Sequence, residues 1–203
     1  MGVISNGTTL LDAGALDSGI ATGAMTLIKT LTASNSSTLS FVDGSASVVL
    51  DGTYDSYVFK FINIHGDTND EAFTFNVSID AGSNYNVAKT TTFFRTYHFE
   101  GDDGAALTYT AAFDLAQGTG FQDINHYLSS ASDESCSGEL SLYNPSSTTF
   151  VKHFMSNTSS VVTGEHNHYV AGYANTTSAV DAVQFKMDSG TFDGVIKLYG
   201  IGG

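Results

Sequence analysis

Along most of this chain, apolar residues recur at every second position. The clearest case lies between Val180 and Ile201, where two such runs flank a Ser-Gly turn. Before the turn, Val183, Phe185 and Met187 alternate with Gln184 and Lys186. After it, Phe192, Ile196 and Leu198 share one side, and Val195, Lys197 and Tyr199 share the other. Residues i and i+2 lie on one side only in an extended chain, so the pattern predicts a closing β-hairpin.

The same alternation predicts strands over Ala24–Leu31, Thr38–Val42, Ser47–Leu50, Tyr54–Ile64, Glu71–Asp80, Thr90–Glu100, Gly138–Tyr143, Thr149–Met155 and Glu165–Asn175. In Tyr54–Ile64 both faces are apolar, with Tyr57, Phe59 and Phe61 on one side and Val58, Ile62 and Ile64 on the other. Such a strand belongs in the middle of a sheet with both faces covered. In Glu71–Asp80, Phe73, Phe75, Val77 and Ile79 point inward and Thr74, Asn76 and Ser78 outward. Eight to ten strands with no 3.6-residue period between them predict an all-β sandwich, with a jelly roll as the expected topology. Residues 1–23 are small, Gly-rich and without a sustained period, so they read as an N-terminal arm before a domain at 24–203. Gly101–Ser135 reads as one long loop insertion, with a helical turn or two within Ala111–Gln117.

Composition narrows the function. The 203 residues carry 21 acidic and 7 basic side chains, a formal charge of −14. A surface so negative repels phosphate backbones and anionic lipid, which argues against nucleic-acid and membrane partners. No run reaches the roughly 18 apolar residues of a membrane-spanning helix, and no secretory leader is read near the N-terminus. With one cysteine, Cys136, the fold cannot rest on an internal disulfide. A chain of this length buries about 70% of the surface its unfolded form exposes, enough for an unstapled core.

Four phrases, YDSYVFKFINIHG at Tyr54–Gly66, SCSGELSLYNPSSTTFVKHF at Ser135–Phe154, VAGYANTTSAVDAVQFKMDSG at Val170–Gly190 and GVIKLYGI at Gly194–Ile201, resemble virion structural proteins of marine tailed bacteriophages such as cyanophages. The resemblance implies a β-sandwich that works by contact: a capsid decoration or cement protein, or alternatively a tail-fibre or receptor-binding module for host glycan. It implies major capsid or tail proteins as partners, a homotrimer or other homo-oligomer, and a virion assembled in the host cytoplasm. Met1–Gly23 and Gly101–Ser135 are the contact elements expected on this reading. The resemblance transfers no site residue.

Candidate chemistry is sparse. His166 and His168, two apart on a strand, share a face and are the best candidate metal ligands, provided an oligomer brings several copies together. Asp67, Asn69 and Glu71 crowd oxygen donors into one loop, as a calcium site requires, but lack the glycine of an EF-hand. Glu100–Asp103 is a weaker acidic loop. Cys136 has no partner for redox or nucleophilic chemistry. No G-x-S-x-G elbow or phosphate-binding glycine loop is present. The sequence therefore leads us to expect no catalytic residue, no cofactor and no enzyme activity.

Overall fold

A computed structural model describes residues 25–202, together with three short strands nearer the N-terminus: β1 (Val3–Ser5), β2 (Thr8–Asp12) and β3 (Ala15–Leu16). The rest of the expected 1–23 arm lies outside the described residues. These three strands pair with one another as a small antiparallel sheet.

The body is built from β4 (Thr26–Ser36), β5 (Leu39–Val42), β6 (Ser56–Gly66), β7 (Glu71–Ser78), β8 (Lys89–Phe99), β9 (Ala105–Tyr109), β10 (Ala116–Gly118), β11 (Gln122–Leu128), β12 (Cys136–Tyr143), β13 (Lys152–Val161), β14 (Gly164–Ala174), β15 (Ala182–Met187) and β16 (Phe192–Ile201). A nine-stranded sheet runs β10-β8-β14-β13-β12-β6-β16-β4, with β9 also on β8; a four-stranded sheet runs β11-β7-β15-β5. Every ladder is antiparallel, and the described residues hold no α-helix, only a 3-10 turn at Ala111–Phe113. The chain is an all-β sandwich, as the alternation predicts.

Aromatic rings fill the space between the sheets. Phe185 on β15 packs against Phe41, Phe59, Phe61, Phe73 and Phe75, with centroids 5.1–6.4 Å apart. Phe41 and Phe61 meet it edge to face, which places the positive ring edge over the negative face, while Phe73 stacks on it and Phe59 and Phe75 are tilted. Phe75 carries the contact onward to Phe154 on β13, and Phe73 to Phe192 on β16.

Five expectations are revised. The residues flanking the Ser-Gly turn do not form a hairpin: β15 pairs with β7 and β5, whereas β16 pairs with β6 and β4 in the other sheet. Both runs present an apolar face, and each faces the other across the core rather than lying beside it. In β6 the alternation breaks at Ile62–Asn63. Asn63 has φ +49°, the ladders to both neighbours shift there, and Ile64 turns back into the core while Ile62 is exposed. Gly194 opposite, at φ +137°, admits this bulge, since a Cβ there would lie 2.8 Å from the Asn63 carbonyl oxygen. The outward residues of β7, Thr74, Asn76 and Ser78, are themselves buried. Finally, 101–135 is not one loop but β9, the 3-10 turn, β10 and β11, while Ser47–Leu50 is a loop that buries Val48 and Leu50.

Because Phe185 touches five rings across the interface, Phe185→Ala should cost about 4 kcal/mol of unfolding free energy, and Phe185→Leu clearly less. Urea titration followed by near-UV circular dichroism measures both. A loss under about 1 kcal/mol for the alanine variant would show that this cluster does not hold the sheets together.

Candidate functional site

The inner face of the large sheet is apolar at its centre and polar toward one end. There the register sets His166 opposite Ser160 and Tyr97, and His168 opposite Thr158 and Arg95. The two histidines do share a face, as their spacing requires, and their rings lie parallel with centroids 6.3 Å apart. That face, however, is the interior, closed over by β11. Asn125 of β11 donates from Nδ2 to His168 Nδ1 (3.1 Å) and to Thr158 Oγ1 (3.0 Å), and Thr158 donates to the Ile124 carbonyl (2.7 Å). The Arg95 guanidinium sits 4.5 Å from the Tyr127 ring centroid and 5.6 Å from that of Tyr97.

This cluster is costly. Nε2 of His168, Nδ1 of His166, Oγ of Ser160, Oδ1 of Asn125 and Nε of Arg95 are buried with no hydrogen-bond partner among the described residues. Burial pushes His168 down to about 3, with the charges of His166, Arg95 and His126 acting the same way; burial and Arg95 lower His166 too. A neighbouring guanidinium opposes a cation, and side chains held between sheets cannot meet their copies on an oligomer axis. The geometry does not assemble the metal centre that the His166/His168 spacing allowed.

Nor does the acidic loop converge. Asp67 accepts from the Thr191 amide (3.1 Å), Thr191 Oγ1 (2.7 Å) and Thr68 Oγ1 (3.0 Å), bonds that lower its pKa. Asn69 Oδ1 accepts from Ser130 N and Oγ and from Ser129 Oγ. Glu71 accepts from Ser189 N and Oγ, and the neighbouring Asp188 carboxyl raises its pKa. Asp67 and Glu71 tie the turn at 188–191 and Asn69 ties Ser129 and Ser130, so the oxygens are spent on the chain's own donors. Among the described residues no group of three His, Cys, Asp or Glu could hold a metal ion. Cys136 is buried, and desolvation drives its thiol pKa well above the ordinary value.

The outer face of the large sheet is the more informative surface. Register aligns three rows across its strands. One holds Tyr109, Phe94, Tyr169, Asn157 and Glu139 on β9, β8, β14, β13 and β12. The next holds Thr92, Ala171, Met155 and Ser141. The third holds Thr90, Tyr173 and His153, with Tyr143 beside them. Aromatic rows thus flank a floor of small side chains broken only by Met155. Two adjoining hollows of about 330 and 490 Å³ lie along it and share Tyr143, Met155 and Ala171. Phe94 and Tyr169 stack with centroids 5.1 Å apart and planes at 12°. Both residues, with Tyr109, Tyr143 and Met155, are exposed to solvent. Alternation assigns these residues to one side of each strand but cannot say which strands are neighbours, so no pattern along the chain points to this groove.

At one end of the large sheet β4 runs eleven residues with one paired neighbour among the described residues, whereas the other end is divided between the short β9 and β10; Leu27 of β4 and Met25 just before it are exposed. No helix among the described residues is long and apolar enough to cross a membrane. Compared with known proteins, the chain matches no family model, no curated protein and no solved structure.

The buried histidines make the fold acid-sensitive. His168 folded has a lowered pKa, so its contribution is intact above the unfolded value of 6.5 and is lost as pH falls from there toward 3. Between pH 6.5 and 5, above the range where most carboxylates titrate, it alone should remove about 1.5 kcal/mol of stability. His168→Gln, which keeps a hydrogen-bonding side chain without the proton site, should flatten that slope in urea melts. An unchanged slope would mean that His168 is charged or solvated in the native state.

Proposed function

We propose that this chain is a structural component of a bacteriophage virion, a decoration or cement protein that holds neighbouring subunits by surface contact. The observation that carries the reading is the open β4 edge. Natural sheets shield long edges, because unpaired amides and carbonyls beside apolar side chains recruit another strand. Here eleven residues of edge, with Met25 and Leu27 exposed, directly follow the expected arm at 1–23. An arm and an open edge in sequence suit a contact that repeats by symmetry, each copy closing its neighbour's edge. The resemblance of the Tyr54–Gly66, Ser135–Phe154, Val170–Gly190 and Gly194–Ile201 phrases to phage virion proteins supports the same reading.

The jelly-roll topology belongs to this proposal. Two ladders nest, β6 with β16 and β7 with β15, as in a rolled double ribbon. Between them, β12, β13 and β14 run as a simple meander. The uses made of the buried titratable groups also favour contact over turnover. Lys152 Nζ donates to the carbonyls of Ser147, Phe150 and Thr176, and Lys89 Nζ to Asn76 Oδ1 and the Val87 carbonyl. These cations are tied to the scaffold.

Leu27→Lys, and separately removal of residues 1–23, should each weaken binding to purified phage shells at least about tenfold while leaving the melting temperature of the body unchanged. Sedimentation of shell-bound protein measures this, and quantitative gels of the particle give the copy number. Hundreds of copies fit a shell protein, a few tens a tail component. Undiminished binding by both variants would remove the edge-and-arm mechanism.

A further inference from the structure

The groove on the outer face has no part in the edge contact, and its chemistry differs from that of a subunit interface. We propose that it is a binding site for a neutral glycan chain, held across β9, β8, β14, β13 and β12 between the Tyr109–Phe94–Tyr169 row and Tyr173, His153 and Tyr143.

The dimensions follow from strand geometry. Tyr169 and Tyr173 are four residues apart on one strand, so the flanking rows stand about 13 Å apart. From β9 to β12 is four strand spacings, so the groove runs about 19 Å. It is open at the ends and shallow, fit for a linear chain rather than an enclosed small molecule. The floor is low because Thr92, Ala171 and Ser141 are small. Met155, flexible and polarizable, is the one long side chain in it.

The lining selects the class of occupant. The middle strands β12, β13 and β14 are paired on both sides, so no main-chain donor or acceptor remains there for a peptide to extend. What remains is exposed aromatic side chains with polar groups at their margins. The hydroxyls of Tyr169 and Tyr173 have no hydrogen-bond partner among the described residues, and that of Tyr143 reaches only Met155 Sδ at 4.0 Å. Asn157, Ser141 and Glu139 line the same hollow. A sugar ring presents C–H bonds to an aromatic face and hydroxyls around its rim, which this arrangement matches.

Charge completes the argument. The one carboxylate in the hollow, Glu139, is already paired with Lys60, so the hollow offers neither a free carboxylate to a cationic sugar nor a free ammonium to an acidic one. The chain as a whole, at −14, repels one. The occupant is therefore uncharged. Being on a different surface, the groove stands or falls apart from the β4 contact.

The test is a ¹⁵N-NMR titration of the full chain with cellohexaose, laminarihexaose, maltohexaose and a neutral mannohexaose, with an oligogalacturonate as the charged comparison. At least one neutral chain should give saturable shifts confined to the groove, with a dissociation constant between about 10 μM and 1 mM. Tyr169→Ala and Tyr143→Ala should each weaken it at least about fivefold while the melting temperature holds, and Leu27→Lys should leave it unchanged. Silence across the neutral chains overturns the proposal. So does preference for the galacturonate, or binding indifferent to both alanine variants. If Tyr169→Ala instead abolishes self-association seen by sedimentation, the face belongs to a second copy and the proposal falls.

Discussion

Two sheets of unequal size are held face to face by one layer of phenylalanines, and the Phe185 ring is its hub. With a single buried cysteine the chain has no covalent tie between the sheets. Ring packing must supply what a disulfide or metal would otherwise add. Phe41, Phe59, Phe61, Phe73 and Phe75 all meet Phe185, and the layer reaches the flanks through Phe154 and Phe192. Four strands cannot cover the inner face of nine. The outermost of the four, β11, lies over the polar end of β13 and β14, and the 101–135 segment that carries it adds cover beyond the sheet by bringing Phe113 onto Phe93.

That coverage explains where the polar interior lies. At the edge of the phenylalanine layer, space between the sheets is closed by one bulged strand, β11, and it is here that His166, His168, Arg95 and Asn125 are enclosed. Two lysines are buried at the other end of the same sheet. Register puts Lys89 and Lys152 on either side of Ala174, where each ties down a loop by donating to carbonyl oxygens. Burial brings Lys89 down to about 7. Of the seven basic side chains, these two are thus withdrawn from the surface, which is more acidic in effect than the formal count conveys.

The alternation along the chain is a one-dimensional record, and what it conveys has that limit. It marks the core residues well: Val183, Phe185, Met187, Ile196 and Leu198 are all buried, as the period-2 pattern requires. It cannot say whether two successive strands lie side by side or face to face, and so the run around Ser189-Gly190 reads as a hairpin although it crosses between sheets. Nor does it carry a backbone bulge, because the φ of +49° at Asn63 leaves no trace in hydrophobicity. The same limit hides the groove. Phe94, Tyr143 and Tyr169 are far apart in sequence, and only the ladders align them on the exposed face. His166 and His168 show the converse, a motif legible in sequence whose meaning depends on which side of the sheet is covered.

A central patch of a wide sheet is a good place for such a surface. Its backbone is fully committed to neighbouring strands, so the outward side chains of β8, β14, β13 and β12 can change without loss of pairing or core contacts. The β4 edge is the opposite case, where backbone groups are open and side chains matter less than accessibility. On the two proposals made above, one sandwich would separate two kinds of contact: an edge joining copies or shell neighbours, and a face reading a ligand by shape and ring stacking. A particle bearing many copies would multiply a weak interaction at that face into a firm one, because binding at one copy raises the effective concentration at the next. Modest affinity per groove is then no obstacle to function, and a shallow, solvent-open site is what such multiplication needs.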